Sequence, residues 1–313
     1  MKSSFTVRPY VPEADLSRLA LVLGEIEAAD RDGEDTSEEY LRNALTWPNY
    51  RPSQDSWVAE MDGKIIGYAV ALEQPSRHCT IYVVIHPSQR RKRFGSQLLE
   101  WALTRAREVG SKTILIYANE RNSASNHFLQ HHGFVSVGSS GTMKSNDTMQ
   151  THPLELPAGF SLKQYSEINK PIVLLNALDD CYLEMWGHQH HDKRTEEELL
   201  SPNFLKYYSA EDILLLFDPQ GMISGICTLK SEGKREENGD KVDLLDGPGV
   251  IKEYRQEGYQ RQLVIAGMEQ LRKKETRPIV LEFWGESEQA LEIYRSLGFE
   301  MANHLLTYHK ELE

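Results

Sequence analysis

Ile81-Tyr82-Val83-Val84-Ile85-His86-Pro87-Ser88-Gln89-Arg90-Arg91-Lys92-Arg93-Phe94-Gly95-Ser96-Gln97-Leu98-Leu99-Glu100 changes character twice. Its first five residues are β-branched or aromatic and read as a buried strand. Behind it Leu98, Leu99, Ala102, Leu103 and Ala106 recur at helical spacing. Between the two lie four consecutive cations, Arg90 to Arg93, and then Gly95. The stretch is therefore a strand, a basic turn and a helix. The first N–H groups of a helix have no internal partner and carry the positive end of its dipole, so such a turn is a natural seat for phosphate. Gly95 lets a backbone come close to what binds there. A charge run by itself more often faces water. Here it reverses the sign of a chain whose formal charge is −12.

The same device is written a second time. Arg255-Gln256-Glu257-Gly258-Tyr259-Gln260 follows a strand-like stretch and precedes Leu263, Ala266, Met268 and Leu271, and Gly298-Phe299 repeats Gly133-Phe134. Arg90 and Arg255 are 165 positions apart, as are Gly133 and Gly298. Leu98, Arg107 and Ile114 fall on Leu263, Arg272 and Ile279 at that offset. The starts, Phe5 to Tyr10 and Phe160 to Tyr165, are 155 apart, so the second copy gains a net 10 residues before its turn. The charged stretch Lys230 to Lys241, with Gly233, Asn238 and Gly239, is the expected place, as an extended hairpin loop.

Each copy reads in one order: an alternating strand, a helical region, a hairpin, the central strand, the basic turn and its helix. Another buried strand (Thr113 to Ala118, or Ile279 to Phe283), a short helix ending in Gly-Phe and a last strand follow. The hairpin turns are Met61-Asp62-Gly63-Lys64 and Asp218-Pro219-Gln220-Gly221. The expected class is α/β, a mixed sheet with flanking helices, in two copies: residues 1–145, a linker at 146–159, and residues 160–313. Gly138 to Gly159, rich in Ser, Thr, Gly and Pro, reads as the join, although Met143, Leu154 and Leu156 allow part of it to pack as a strand.

A chain of 313 residues has room for two domains. Apolar content of 40% and charged content of 26% are ordinary for a soluble protein, no apolar run is long enough to span a membrane, and the N-terminus has no signal-peptide core. Three cysteines without a close-spaced pair point to a reduced, cytoplasmic setting. The negative charge argues against nucleic acid and favours a cationic partner such as an amine.

Asn122, Ser125, Phe128 and Gly133-Phe134 fall at N-x-x-[AS]-x-x-[LF]-x-x-x-x-G-F, and the first turn is Arg90-x-x-Arg93-x-Gly95. Together these resemble the GNAT acetyltransferase superfamily, whose turn is [QR]-x-x-G-x-[GA]; the first copy keeps the last glycine and loses the first. The resemblance implies two tandem GNAT-like domains. In each, the central strand and its neighbour splay apart and acetyl-CoA lies in the wedge. The implied cofactor set is Val83, Val84 and Ile85 along the pantetheine arm, Arg90, Arg91, Lys92, Arg93, Phe94, Gly95 and Ser96 around the pyrophosphate, Asn122, and Val250, Arg255 and Gly258 in the second copy.

The implied reaction is N-acetylation of a small-molecule amine. It needs a base for the ammonium, a donor for the oxyanion and a proton for the departing thiolate. The family's acid is often a Tyr after the [LF] position, which is Tyr294 in the second copy and Leu129 in the first. Its strand Glu falls at Cys79 and Leu244, neither a carboxylate. Asp246 shares a face with Leu244 by strand alternation and is the candidate base, with a turn residue before Gly247-Pro248-Gly249 as the other reading. The second copy places Gln260 where the family has Gly or Ala. The first copy is therefore expected to bind acetyl-CoA more tightly, and the second to be the catalytic copy or a worn one. The alternative is a CoA-binding or scaffold protein without turnover. Two joined copies can imitate a dimer within a monomer, and a homodimer is equally open.

Trp186-Gly187-His188-Gln189-His190-His191-Asp192 has metal-ligand types but no second cluster, and reads better as an acceptor-facing or exposed loop. His131-His132 suit the negative end of a helix dipole. His78 is a surface residue or a base in the first copy, and Cys79 and Cys227 are small strand residues. There is neither G-x-G-x-x-G nor G-K-[ST], which sets aside dinucleotide and P-loop folds.

Overall fold

The computed structural model describes residues 5–47, 50–74, 78–146, 152–182, 208–235, 241–255, 257–274, 277–285 and 287–312. The His188 to His191 cluster lies outside them, as do residues 236–240 of the expected loop. In the first copy the elements are β1 (Phe5–Pro9), α1 (Pro12–Asp30), α2 (Glu38–Ala44), α3 (Pro52–Asp55), β2 (Ser56–Met61), β3 (Lys64–Gln74), β4 (His78–Ile85), α4 (Phe94–Glu108), β5 (Thr113–Asn119), α5 (Ser123–His131) and β6 (Val135–Ser145). The second copy continues with β7 (Ser161–Gln164), α6 (Pro171–Cys181), β8 (Ile213–Phe217), β9 (Ile223–Arg235), β10 (Lys241–Asp246), β11 (Gly249–Val250), α7 (Tyr259–Lys274), β12 (Ile279–Trp284), α8 (Glu288–Ser296) and β13 (Phe299–Glu311).

Two compact units emerge, one of Met1–Val137 with Leu305–Glu313, the other Gly138–His304. Each copy ends on a strand that pairs in the other copy's unit. In unit 1 the order is β1-β2-β3-β4-β5-β13, with Leu305 to Glu311 antiparallel to β5. In unit 2 it is β6-β12-β10-β9-β8-β7, with Ser140 to Lys144 antiparallel to β12. Part of the Ser- and Gly-rich join is thus a strand, and Met143 on it is fully buried in the unit 2 core.

Local sequence explains the pieces. Asp62 and Gly63 both take positive φ, 51° and 77°, as the tight turn between β2 and β3 requires. Along β4, Ile81 and Ile85 face Leu98, Leu99, Ala102 and Leu103 of α4. The alternate residues Tyr82 and Val84 face the layer built on Leu19, Leu23 and Ile26 of α1. Leu98 and Leu99 are wholly buried, worth about 1.5–3 kcal/mol each. Gly67 on β3 permits this approach, because a Cβ there would lie 2.5 Å from Ile85 Cδ1 and 2.8 Å from the Val84 carbonyl oxygen.

Gly225 is its counterpart: Gly67 pairs with Ile85 and Gly225 with Val250. The glycines are 158 positions apart and their partners 165, so seven of the ten inserted residues belong to the β9–β10 hairpin. The remaining three lie nearer the N-terminus of the second copy. β9 itself runs to Arg235, so much of the expected loop is strand.

Parallel strands part in both units. The described pairing of β4 with β5 ends at Thr80 and Leu115, while β4 stays on β3 as far as Ile85. In unit 2, β10 follows β12 from Asp243 to Asp246, then breaks at Gly247-Pro248, and β11 pairs with β9.

Candidate active site

In unit 1 the basic turn stands where β4 leaves β5. Arg93 caps α4 with φ 66° and ψ 7°, the left-handed conformation, and offers no side-chain hydrogen bond to the helix. The first intrahelical bond runs from Gln97 N to the Arg93 carbonyl. The N–H groups of Phe94, Gly95 and Ser96 are therefore those a helix cannot satisfy internally. A Cβ on Gly95 would stand in ordinary van der Waals contact with Phe128 and Ile85, at 3.5–3.6 Å, and Gly95 itself carries no side chain to reach across the turn. Arg91, Lys92 and Arg93 are exposed, and Lys92 Nζ turns back to Gln89 Oε1 at 2.8 Å. Phe94 stacks on Phe5 at 4.1 Å, and the Ser96 hydroxyl lies 2.9 Å from His132 Nε2. This helix start suits a pyrophosphate.

Arg90 does something else. Its Nε donates to the Ile85 carbonyl at 2.9 Å, and its two terminal nitrogens form a bidentate pair with Asp30 at the end of α1. Two residues on, Asp32 accepts from Asn122 Nδ2 at 3.0 Å, while its carbonyl accepts from Asn119 Nδ2 at 3.4 Å. The segment after α1 is thus tied to β4 through Arg90 and to the end of β5 through Asn119 and Asn122, bridging the mouth of the wedge. Asn122 also caps α5 by accepting from Ser125 N at 3.1 Å. Burial raises the Asp32 carboxyl, helped by Asp30 and Glu27 and opposed by Asn122 and Arg90. Burial likewise lifts the Tyr82 phenol well above its usual value, with Glu34, Asp32 and Glu27 adding to it. Val83 packs on the α4 side and Val84 on the α1 side. Leu129, at the family's tyrosine position, is buried in the core, and His78 is buried rather than on the surface.

The sequence reading missed Asp30 and Asp32. The signal was charge: Asp30-Arg31-Asp32-Gly33-Glu34-Asp35 is the acidic complement of Arg90 to Arg93.

In unit 2 the corresponding turn keeps the brace, with Arg255 Nε 2.8 Å from the Val250 carbonyl and Gly258 at φ 84°. Gln260 stands at the position of Gly95 and adds a side chain there. Its Nε2 donates to the Tyr294 hydroxyl at 2.9 Å and reaches the Pro248 carbonyl at 3.4 Å. Tyr294 has 0% exposure. Asp246 lies at the end of β10 on the face of Val242 and Leu244, where Tyr208 donates to its Oδ2 at 2.6 Å and Thr228 donates to the same oxygen. Burial raises its carboxyl, and the two hydroxyls pull the other way. Tyr182 donates its hydroxyl to the Gly247 carbonyl at 3.0 Å, and Tyr208, Thr228 and Tyr182 were not anticipated, because each arrives from another element of the chain.

Two parallel strands that part, a glycine-bearing helix start in the gap and the duplication of both define the class: a tandem GNAT fold, that of acyltransferases. Residues 22–134 match the acetyltransferase (GNAT) family, and unit 1 carries a domain of that family. The chain is 22% identical over 292 residues to mycothiol acetyltransferase from Paenarthrobacter aurescens, covering 91% of this chain and 88% of that protein. To the enzyme of the same name from Renibacterium salmoninarum it is 25% identical over 307 residues, covering 92% and 85%. Among solved structures it is similar to a GCN5-related N-acetyltransferase from Sphaerobacter thermophilus, with a TM-score of 0.71, 20% identity and 98% and 95% of the two chains covered. A tandem GNAT protein from the clavulanic acid biosynthesis pathway matches at a TM-score of 0.61 and 16% identity, covering 98% of each chain. No group of three metal-ligating side chains occurs among the described residues, and no helix there is long and apolar enough to cross a membrane.

Proposed function

We propose that the chain is an N-acetyltransferase that moves an acetyl group from acetyl-CoA to the amine of a small molecule, with the transfer in the wedge of unit 1. The observation that carries this reading is the start of α4. It has no side-chain cap, is flanked by exposed Arg91, Lys92 and Arg93, and opens where β4 and β5 separate. Acetyl-CoA supplies the activated acyl carbon. Phe94, Gly95 and Ser96 donate their N–H groups to its diphosphate, the exposed cations screen its charge, and the main chain of Val83 to Ile85 receives the pantetheine arm. Arg90 holds the turn in place through Ile85 and Asp30 rather than reaching the phosphates. Asp32, with its raised carboxyl at the mouth of the wedge, attracts a cationic amine and accepts its proton.

The relatives are named for mycothiol and share 22–25% identity with this chain; the acceptor proposed for this chain is a small-molecule amine. Three unpaired, buried cysteines fit a reducing cytoplasmic setting. A second reading has Asp246 in its favour: a half-buried carboxyl with a raised pKa, held by two hydroxyls, on the strand where the family places its base. In that reading Asp246 and Tyr294 are base and acid in unit 2, and Gln260 must leave Tyr294 before the tyrosine can donate.

Thiol release from acetyl-CoA, followed with a panel of amines, tests the proposal. Release with at least one amine that falls in Asp32→Asn supports unit 1. Release lost in Tyr294→Phe but kept in Asp32→Asn supports unit 2. CoA binding without release under any amine leaves the binder reading.

A further inference from the structure

We infer that the chain binds coenzyme A once, in unit 1, and that unit 2 has closed its own wedge with the side chains of Gln260, Tyr294 and Tyr182. The inference rests on the reading of unit 1 as the acetyl-CoA site.

A pantetheine arm that pairs like a strand needs main-chain donors and acceptors along one edge of the central strand. In unit 1 that edge is Val83 to Ile85, and its counterpart 165 positions on is Pro248-Gly249-Val250. Pro248 has no N–H to offer. Its carbonyl accepts from Gln260 Nε2 at 3.4 Å. The carbonyl just before it, on Gly247, accepts from the Tyr182 hydroxyl at 3.0 Å. The ring of Tyr182 lies flat on Gly249, so close that a Cβ there would sit 2.9–3.0 Å from three ring atoms. Edge and face of the segment are both occupied by the protein.

The phosphate end is altered in the same sense. Where Gly95 has no side chain, Gln260 carries an amide that spans from Pro248, just before β11, to Tyr294 on α8. The residues joining the two copies pack along the first turn of α7: His152 Nδ1 lies 3.3 Å from the Arg261 guanidinium, and Glu155 N donates to Gln262 Oε1 at 2.9 Å. Leu154 and Leu156 lean on the adjoining core. A ligand entering here would have to displace a ring, an amide and three hydrogen bonds before making any of its own.

Isothermal titration of the full chain with CoA reads the stoichiometry directly. One site per chain is expected, and Gly95→Glu should weaken it on the order of a hundredfold, because a carboxylate at the α4 start suits the helix dipole but repels a diphosphate. Hydrogen exchange keeps the test decisive if that variant folds poorly: in the parent protein CoA should protect residues 90–100 and leave 257–266 unchanged. Two sites, or one site that survives Gly95→Glu with protection at 257–266, would overturn the inference while leaving acetyl-CoA chemistry intact. No binding at all would overturn both.

Discussion

Arg93→Gly is expected to make the protein more stable and its acetyl-CoA site weaker, from one cause. Arg93 holds φ 66° and ψ 7°, a conformation that costs a residue with a Cβ about 1–2 kcal/mol and glycine nothing. Glycine gives back about 0.5–1 kcal/mol through a freer unfolded chain. Because the side chain makes no capping hydrogen bond, no native contact of that kind offsets the gain. The net is a stabilisation of about 0.5–1 kcal/mol, an upward shift of some 1–4 °C in the unfolding transition of unit 1. The same change removes one exposed cation beside the diphosphate, a loss of about 0.5–1 kcal/mol or two- to fivefold in affinity. Scanning calorimetry and CoA titration on one preparation read both quantities. Arg93→Ala separates the causes, since it keeps the strain and removes the charge: affinity should fall equally with no gain in stability. An Arg93→Gly protein that melts below the parent would refute the claim that this turn stores backbone strain in exchange for charge.

Other outcomes follow from the packing. Asp15 is fully buried yet its carboxyl sits below the usual range, because hydrogen bonds from Arg8 and Val11 and the charges of Arg8 and Arg18 outweigh its desolvation. Asp15→Ala leaves Arg8 with Glu60 as its remaining carboxylate partner and should cost about 3 kcal/mol in urea unfolding. Folded-state pKa values are depressed for both Asp15 and Glu60, so their stabilisation is complete above the ordinary carboxylate range and lost as pH falls through the folded values; urea midpoints that stay level below about pH 4 would contradict this. Gly67→Ala drives a methyl into Ile85 and the Val84 carbonyl and should destabilise unit 1 by about 1–3 kcal/mol, with weaker CoA binding because the wedge strand shifts. All three cysteines are buried, and the thiols of Cys79 and Cys181 are pushed up to about 12 by burial, so a thiol reagent at pH 8 should find none in the native protein and three after denaturation.

The repeat, the alternation along Ile81 to Ile85, the Asp62-Gly63 turn and the two strand-turn-helix units were readable from residue order alone. Each depends on neighbours within a few positions, or on one constant spacing between copies, and such terms survive without coordinates. The basic run was readable as a helix start suited to phosphate. Which of its cations faces a ligand was not: Arg90 and Arg91 look alike in sequence, and only the arrival of Asp30 from the end of α1 turns Arg90 inward.

The fate of each copy's last strand was equally hidden. A strand carries the same alternation whichever edge it joins, so its own residues do not say that Ser140 to Lys144 pair with β12 and Leu305 to Glu311 with β5. The state of the second wedge lay deepest. Tyr294 and Gln260 are 34 residues apart and Tyr182 is farther still, and each taken singly has an ordinary explanation. That Gln260 bonds both Tyr294 and Pro248 while Tyr182 covers Gly249 is a property of packing, which brings within reach side chains that the sequence holds far apart.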